Sequence, residues 1–315
     1  MDGAGGTAPS MRDFVGYADR PPSLRWPGGA GLAVNFVLNY EEGAEYSVDD
    51  GDGRSETALI EIAQPRVPVG ERDLASESMY EYGSRVGFWR LHRMFRERDL
   101  PLTVFAAALA LERNPQVAAA VRESGWDVAC HGRRWIEHYL IDEATERRDI
   151  AEAYDSVART TGRPPEGWYC RYSRSPRTRR LLVEHGGFAY DSDAYNDEIP
   201  YWTEVSGRPH LVVPYSLVTN DAKFLQGGWV TGRDYGEFLI ESFDTLLADS
   251  RHAPRMMSVG LHPRVVGHPG RASGLALFLD HVARSQGAWV ARRGEIAAHW
   301  RAAMPHRRPA ERAVS

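Results

Sequence analysis

The sequence has little of what marks exported or membrane-spanning proteins. Only two cysteines are present, Cys130 and Cys170, and they lack CxxC spacing, so a disulfide framework is excluded and free thiols are expected. No run approaches the roughly 18 apolar residues of a membrane span, and the first residues lack the basic and apolar regions of a signal peptide. We therefore expect a cytoplasmic protein that has no membrane partner.

An excess of positive charge is also missing. The 315 residues carry a net charge of -5 at pH 7, which gives no electrostatic footprint for binding nucleic acid. With 43% hydrophobic residues, the chain can bury a full core. We predict one folded domain over residues 11–304, a disordered extension at 1–10 and a flexible tail at 305–315.

Short apolar runs, typical of buried strands, alternate along the chain with longer segments of helical period. This order predicts parallel strands joined by crossover helices. The predicted strands span 32–38, 102–107, 127–130, 167–170, 188–191, 211–216, 256–261 and 288–292. The predicted helices span 83–99, 115–125, 142–162, 175–186, 232–250, 270–287 and 294–304.

Two α/β architectures fit this order, a closed (β/α) barrel and an open doubly wound sheet. The first turn between strand and helix reads NYEEGAEY and is not a glycine-rich phosphate loop, which disfavours the dinucleotide-binding version of the open sheet. We therefore predict a distorted (β/α) barrel of roughly seven or eight units. Enzymes with barrels of this kind place their chemistry at the C-terminal ends of the strands.

Polar side chains able to do chemistry follow most of the predicted strands. The set is Asn39, Tyr40, Glu41, Glu42, His131, Arg171, Asp191, Asp193, Tyr215 and His262. A solvated loop explains any one of these residues, whereas their repetition at one edge of the barrel indicates an active site.

Several long motifs resemble the polysaccharide deacetylase (NodB-like) superfamily. They are LNYEEG, ACHGRRWIEH, GWYCRYSRSPRTRRLLVEHGGFAYDSDAYND, PYWTEV, LVVPYSLVTND and MMSVGLHPRVVGHPGR. Within the superfamily the sequence is most similar to the PuuE-type allantoinase branch, whose members open the hydantoin ring of allantoin in purine breakdown. The resemblance extends over roughly residues 11–303. It implies a barrel of the polysaccharide deacetylase type, a hydrolase and a homo-oligomer, either a dimer or a tetramer.

The resemblance also implies roles for the matched residues. Sugar deacetylases of this superfamily carry a base and a metal ligand in the first motif, where Glu41 and Glu42 stand here. Their second motif supplies two histidine ligands; His131 matches the first, and Trp135 replaces the second. Because an indole does not ligate zinc and a catalytic zinc site needs three protein ligands, we predict no catalytic metal. Zinc held with the help of His138 is the alternative, but a partly exposed loop residue explains His138 more simply.

Without a metal, we expect direct attack of water on the amide. Glu41 matches the base position, and the like charge of Glu42 is expected to raise the pKa of Glu41; strand alternation leaves open which of the two faces the pocket. His262 is expected to donate a proton to the leaving nitrogen, and His131 to orient the water or polarise the carbonyl. Arg171, in the family's arginine motif, either pairs with a catalytic carboxylate or holds the oxyanion.

A metal-free site favours a substrate with an acidic leaving group. The nitrogen that leaves a hydantoin ring shares its negative charge with a second carbonyl, whereas an N-acetylated sugar leaves as a plain amine. Chemistry and resemblance therefore both indicate a cyclic ureide, most simply allantoin, as the small-molecule substrate. Other cyclic imides and ureides remain alternatives, as do a metal-dependent carbohydrate deacetylase and a binding module derived from a former hydrolase.

Six residues are expected to contact this substrate: Asn39, Tyr40, Trp135, Asp193, Tyr215 and Asn220. Cys130 beside His131 raises the alternative of a thiol nucleophile, although cysteines late in apolar strands are commonly inert. The segment 41–79 is too long for an ordinary loop. We expect it to cover the pocket or to form a subunit contact.

Overall fold

Nine strands form one sheet in the computed structural model, which describes residues 12–64, 67–172 and 174–306. The predictions for residues 1–10 and for most of the tail at 305–315 lie outside the described residues. The strands are β1 (Leu32–Tyr40), β2 (Thr103–Ala106), β3 (Asp127–Cys130), β4 (Gly167–Trp168), β5 (Tyr190–Asp191), β6 (Tyr201–Val205), β7 (Arg208–Val212), β8 (Arg255–Leu261) and β9 (Ala288–Val290).

Strand β1 holds the sheet together. All nine of its residues, LAVNFVLNY, are buried, as expected for a parallel strand that is covered on both faces. One edge of β1 pairs with β8, and the other edge pairs first with β9 and then with β2. The strand order is β6-β7-β5-β4-β3-β2-β1-β8.

The sheet curls into a half-barrel, which confirms the prediction of a barrel-like α/β fold. The hairpin β6–β7 is antiparallel, and the other strand pairs are parallel. Between β7 and β8 the described residues form no ladder, but an isolated bridge joins Asn220 to Gly260 of β8. The carboxyl ends of the parallel strands therefore open together on one face.

Helices connect the strands and have well-defined ends. Asp73, Asp142 and Thr231 each begin a helix by accepting a backbone N–H with the side chain. In the described part of the chain, no helix is both long and apolar enough to cross a bilayer. The helices are α1 (Leu74–Tyr82), α2 (Phe88–Arg96), α3 (Ala108–Arg113), α4 (Pro115–Glu123), α5 (Glu143–Thr161), α6 (Thr178–His185), α7 (Gly232–Asp249), α8 (Pro269–Arg284) and α9 (Arg293–Ala303).

Three elements differ from the sequence-based expectation. Strand β6 was not predicted, because its partly exposed residues, YWTEV, show no buried apolar face. Helix α1 begins inside the segment 41–79 that was expected to be a loop, and α3 follows shortly after β2. The predicted helix at 83–99 is the second part of a longer helical rod that begins with α1.

A π-helical turn at Gly83–Gly87 joins α1 to α2 and lies against the loop after β8. A Cβ atom on Gly83 would lie 2.4 Å from Glu42 Oε1, and one on Gly87 would lie 2.0 Å from the carbonyl oxygen of Pro263. The two glycines therefore allow the helix backbone to pack directly on the strand ends.

Replacing Gly87 with alanine is expected to destabilise the protein by about 2 kcal/mol. Alanine is favoured over glycine in a helix by roughly 1 kcal/mol, but the atom it would meet belongs to the backbone and cannot move aside freely. Gly270→Ala is the matched control, because a Cβ atom at Gly270 in α8 has open space around it. Urea unfolding should show a loss for the first variant and no loss for the second. Equal stabilities would contradict the close packing described here.

Candidate active site

A pocket with a cavity volume of about 140 Å³ opens at the carboxyl ends of the parallel strands. Its floor consists of buried polar residues. Its rim includes Tyr172 and Leu217, which are 40% and 38% exposed. The lining residues are Asn39, Glu41, Leu59, His131, Trp135, Tyr169, Arg171, Tyr172, Tyr215, Leu217, Asn220, Ala222, Lys223, Gln226 and His262.

The end of β1 sends alternate side chains to opposite faces. Asn39 and Glu41 line the pocket. Tyr40 points away from it, and its ring packs edge-on against Phe88 of α2 with 5.6 Å between centroids. Glu42 also faces the helices, next to Gly83. Glu41 is thus the pocket carboxylate, and the predicted contact of Tyr40 with the substrate is corrected.

A buried guanidinium joins the two carboxyl groups. Arg264, in the loop after β8, places Nη2 2.6 Å from Glu41 Oε2 and Nη1 3.3 Å from Glu42 Oε1. Its Nε donates to the carbonyl oxygen of Leu59 at 3.3 Å. The guanidinium also lies over the ring of Tyr80, 4.2 Å from the centroid. Every nitrogen of this buried side chain therefore has a partner.

These charges shift the pKa values of the two carboxyl groups in opposite directions. Burial alone would raise the pKa of Glu41, but Arg264 and the imidazoles of His262 and His131 outweigh burial and hold this pKa well below its ordinary value. For Glu42, burial and the charge of Glu41 outweigh Arg264, so the pKa is raised. The expectation that Glu42 raises the pKa of Glu41 is therefore wrong, because the nearby cations dominate.

His131 follows β3 and points its ring between two acceptors. Nδ1 lies 2.8 Å from the carbonyl oxygen of Tyr169, and Nε2 lies 3.1 Å from Glu41 Oε1. A carbonyl only accepts, so Nδ1 carries a hydrogen and donates it. The other ring nitrogen, Nε2, then faces the carboxylate of Glu41. The imidazole is thereby held between a backbone carbonyl and the pocket carboxylate.

His262 follows β8 and is held by Asp221. The ring Nδ1 lies 2.6 Å from Asp221 Oδ1, while Asp221 Oδ2 accepts the backbone N–H of His262 at 2.6 Å and of Val266 at 3.1 Å. The other ring nitrogen, Nε2, lies 3.7 Å from Glu41 Oε1. Burial would lower the pKa of His262, but the charges of Asp221 and Glu41 outweigh it, and the pKa is raised.

Aromatic rings and amides form the remaining wall. Tyr169 stacks on His131 with 5.1 Å between centroids and 21° between planes. Tyr215 meets Tyr169 at 4.9 Å in an edge-on contact. Asn39 and Asn220 both donate to the Tyr215 hydroxyl, at 3.2 and 3.1 Å. A flat ring with polar edges fits these surfaces.

Arg171 lines the pocket but does not contact the two carboxyl groups that follow β1, which corrects one of its two expected roles. It forms a buried ion pair with Glu56, and its Nη2 lies 3.6 Å from Glu137 Oε1. Its guanidinium lies 3.7 Å from the ring centroid of Trp135, another lining residue. The pairing brings Glu56, from the segment after β1, to the pocket wall, which Leu59 of the same segment also lines. The oxyanion role of Arg171 stays a prediction.

Other sequence-based candidates lie away from the pocket. Asp193 Oδ1 accepts the backbone N–H of Cys170 at 2.7 Å, so its predicted contact with the substrate is corrected. His138 is buried rather than partly exposed, with Nδ1 3.5 Å from Glu146 Oε1. Burial raises the pKa of both thiols, Cys130 and Cys170, which disfavours the thiol nucleophile.

Two residues that hold charged side chains of the pocket, Arg264 and Asp221, were not predicted from the sequence. Both lie inside motifs that carry the family resemblance, two residues after His262 and one after Asn220. Their importance depends on contacts between distant segments, which a single sequence does not display.

The side chains of this site do not fit the metal ion of the family pattern. Trp135 stands where a histidine ligand would be needed. Arg264 forms ion pairs with both Glu41 and Glu42. Among the described residues, no group of three His, Cys, Asp or Glu side chains is arranged to hold a metal ion. The carboxylates instead have a fixed guanidinium as their counter-charge.

Comparisons with known proteins agree with this architecture. The family model described as "Polysaccharide deacetylase" matches residues 75–190. A Schizosaccharomyces pombe (strain 972 / ATCC 24843) protein, named as a candidate polysaccharide deacetylase, is 36% identical over 318 residues, which cover 94% of this chain and 98% of that protein.

Two solved structures are similar over nearly the whole chain. One is a candidate polysaccharide deacetylase from Pseudomonas aeruginosa PAO1, and the other is entitled Puue allantoinase. Each is 44% identical with a TM-score of 0.91 and covers 95% of this chain and 100% of its own. A structure from Mycobacterium smegmatis, 24% identical over 92% of this chain and 97% of its own with a TM-score of 0.74, shares the fold.

Replacing Arg264 with methionine is expected to lower the free energy of unfolding by about 3–5 kcal/mol near neutral pH, because it leaves carboxyl groups buried without a counter-charge. In the native protein Glu41 has a lowered pKa, so its ionised form stabilises the fold, and this contribution is lost as the pH falls. Without Arg264, burial shifts this pKa upwards, so ionisation of Glu41 destabilises the variant as the pH rises. The deficit should therefore grow from about pH 4.5 to about pH 8.

Arg98→Met provides the control for this pH series. Arg98 pairs with Asp280 at 2.7 Å, but the two side chains are 22% and 44% exposed. Such a pair contributes less than about 1 kcal/mol, so the control should show a small deficit at every pH in urea unfolding. A deficit of Arg264→Met that is the same at both ends of the pH range would contradict the assigned charge states.

Proposed function

Because this chain belongs to the polysaccharide deacetylase family, we propose that it is a hydrolase that opens a cyclic amide, most simply the hydantoin ring of allantoin. The similarity to the Puue allantoinase structure supports this substrate class. The observation that carries the proposal is the ion cluster in which Arg264 fixes Glu41 beside two imidazoles.

The cluster favours a substrate whose leaving nitrogen is stabilised by delocalisation of its negative charge within the substrate. A metal ion lowers the pKa of bound water from about 15.7 to about 7, and a guanidinium has no vacant orbital with which to bind water in this way. The nitrogen of a hydantoin or imide leaves with its charge spread onto a second carbonyl. A plain N-acetyl amine has no such help, so this site suits the cyclic amide better.

Glu41 is the proposed acceptor of a proton from the attacking water. Its Oε1 faces both imidazoles, at 3.1 Å from His131 Nε2 and 3.7 Å from His262 Nε2. A carboxylate with a lowered pKa is a weak base and gives little driving force for proton transfer. The reaction therefore depends on an acid that protonates the leaving nitrogen at the same time.

His262 is the proposed acid. Asp221 holds Nδ1 and keeps the ring protonated, so that Nε2 presents a hydrogen towards the pocket. His131 orients the water, and Arg171, at the pocket wall, is left to hold the carbonyl oxygen as its negative charge grows. No covalent intermediate and no metal takes part in these steps.

A substrate panel tests the function directly. Purified protein is offered allantoin, succinimide, dihydrouracil and N-acetylglucosamine oligomers, each with and without a chelator. We expect turnover of allantoin, or of another cyclic amide on the panel, that persists with the chelator. Deacetylation of the sugar alone, restored by added zinc after chelation, would overturn the proposal in favour of the metal-dependent deacetylase.

The pH profile tests the acid. If His262 must be protonated, kcat/KM is present below its pKa and falls as the pH rises through that value, which lies above the ordinary 6.5. Asp221→Asn removes a charge that raises this pKa, so the descending limb should move to lower pH by about one unit. Asp142→Asn, a change in an exposed helix cap, is the control. A descending limb that stays in place in Asp221→Asn would assign the acid to another group.

A further inference from the structure

The sequence contains a single lysine, Lys223. The rest of its 38 lysine and arginine residues are arginines. This one lysine lines the pocket. Lysine and arginine differ in chemistry, because an ammonium is a compact charge with three rotatable donors on a flexible stem, whereas a guanidinium is a rigid planar fork. Its position makes Lys223 a candidate for substrate recognition.

Lys223 differs from the other cations of the site, which are paired with carboxylates. Arg264 is paired with Glu41 and Arg171 with Glu56. Among the described residues, no carboxylate lies within 4.0 Å of the Lys223 ammonium, and no hydrogen bond of this group to protein is present. The side chain is half-buried. A cation that is partly removed from water and unpaired is available to an oxygen of a ligand.

The turn that carries Lys223 is fixed to the floor of the pocket. It is a short 3-10 helix, Asp221–Phe224. Its first residue holds the ring of His262, and the preceding Asn220 donates to the Tyr215 hydroxyl. The position of Lys223 along the chain is therefore tied to the group proposed to protonate the leaving nitrogen.

The lining residues differ in how exposed they are. Glu41, His131 and His262 are buried at the floor, whereas Leu217 is 38% exposed at the rim. Half-buried Lys223 is intermediate in exposure between these two groups. A ring bound among the buried residues could present a substituent to this more exposed cation.

We propose that the Lys223 ammonium binds a carbonyl or carboxylate oxygen on a substituent of the ring. The preferred substrates are then cyclic amides that carry such an oxygen beside the ring, rather than unsubstituted hydantoins or imides. This inference rests on the proposed function, and it names the substrate class more closely. It assigns Lys223 to selectivity among rings and not to the chemical step.

The kinetic test compares hydantoin, allantoin and hydantoin-5-acetate as substrates. Lys223→Met should lower the ratio of kcat/KM for hydantoin-5-acetate over hydantoin at least about tenfold, the scale of one charge-assisted hydrogen bond, with a smaller decrease for allantoin. Lys223→Arg keeps the charge and should recover part of the ratio. Gln226→Met removes a neutral polar group from the same pocket and serves as the matched control. An unchanged ratio in Lys223→Met would overturn the proposal.

A labelling test separates this proposal from the proposed function. Since Lys223 is the only lysine, an amine acylating reagent marks this side chain and the chain's α-amino group, and peptide mass spectrometry distinguishes the two. Hydantoin-5-acetate should slow acylation of Lys223 several-fold, and hydantoin should not. If none of the rings is hydrolysed, the proposed function fails while protection by the acetate still supports the role of Lys223. Equal labelling with both ligands would overturn that role even if the rings are hydrolysed.

Discussion

The contact between Arg264 and the two carboxyl groups after β1 is the interaction on which the site depends. Adjacent buried glutamates repel each other and lose their hydration, so they require a buried counter-charge. Arg264 reaches both because Gly83 and Gly87 let the π-helical turn pack on the loop that follows β8. The close packing of the π-helical turn thus helps to hold Arg264 beside Glu41 and Glu42.

This contact also influences which groups of the pocket carry a proton. Glu41 is held ionised, and both imidazoles face its Oε1. The site therefore combines an acid with a raised pKa, His262, and a weak base, Glu41. Such a balance disfavours reactions whose leaving group must be expelled by a powerful nucleophile. It favours a leaving nitrogen that accepts a proton readily or carries negative charge easily, which links the ion cluster to the ring chemistry proposed above.

Sequence patterns were sufficient to predict the features that depend on the order of residues within short segments. The apolar run of β1 and its parallel neighbours predicted the barrel-like fold, and the strand-end rule brought Glu41, His131 and His262 to one pocket. Period-two alternation, taken from Glu41, would also have placed Tyr40 on the opposite face. The pairing of Arg171 with Glu56 was not predictable, because the two residues lie 115 positions apart in the chain. The same holds for Arg264, whose partners lie 222 and 223 positions away in the chain.

Under the proposed function, a guanidinium beside the carboxylates in place of a metal ion changes where selectivity can arise. A metal ion polarises any amide that reaches it, so a deacetylase can act on a plain N-acetyl group. A guanidinium that is already committed to Glu41 and Glu42 polarises nothing beyond them, and the ring itself must supply reactivity. Under the proposed function, recognition then depends on the residues that line the pocket, including its aromatic rings and Lys223. The proposed choice of substrate thus follows from the constraint on the buried charges.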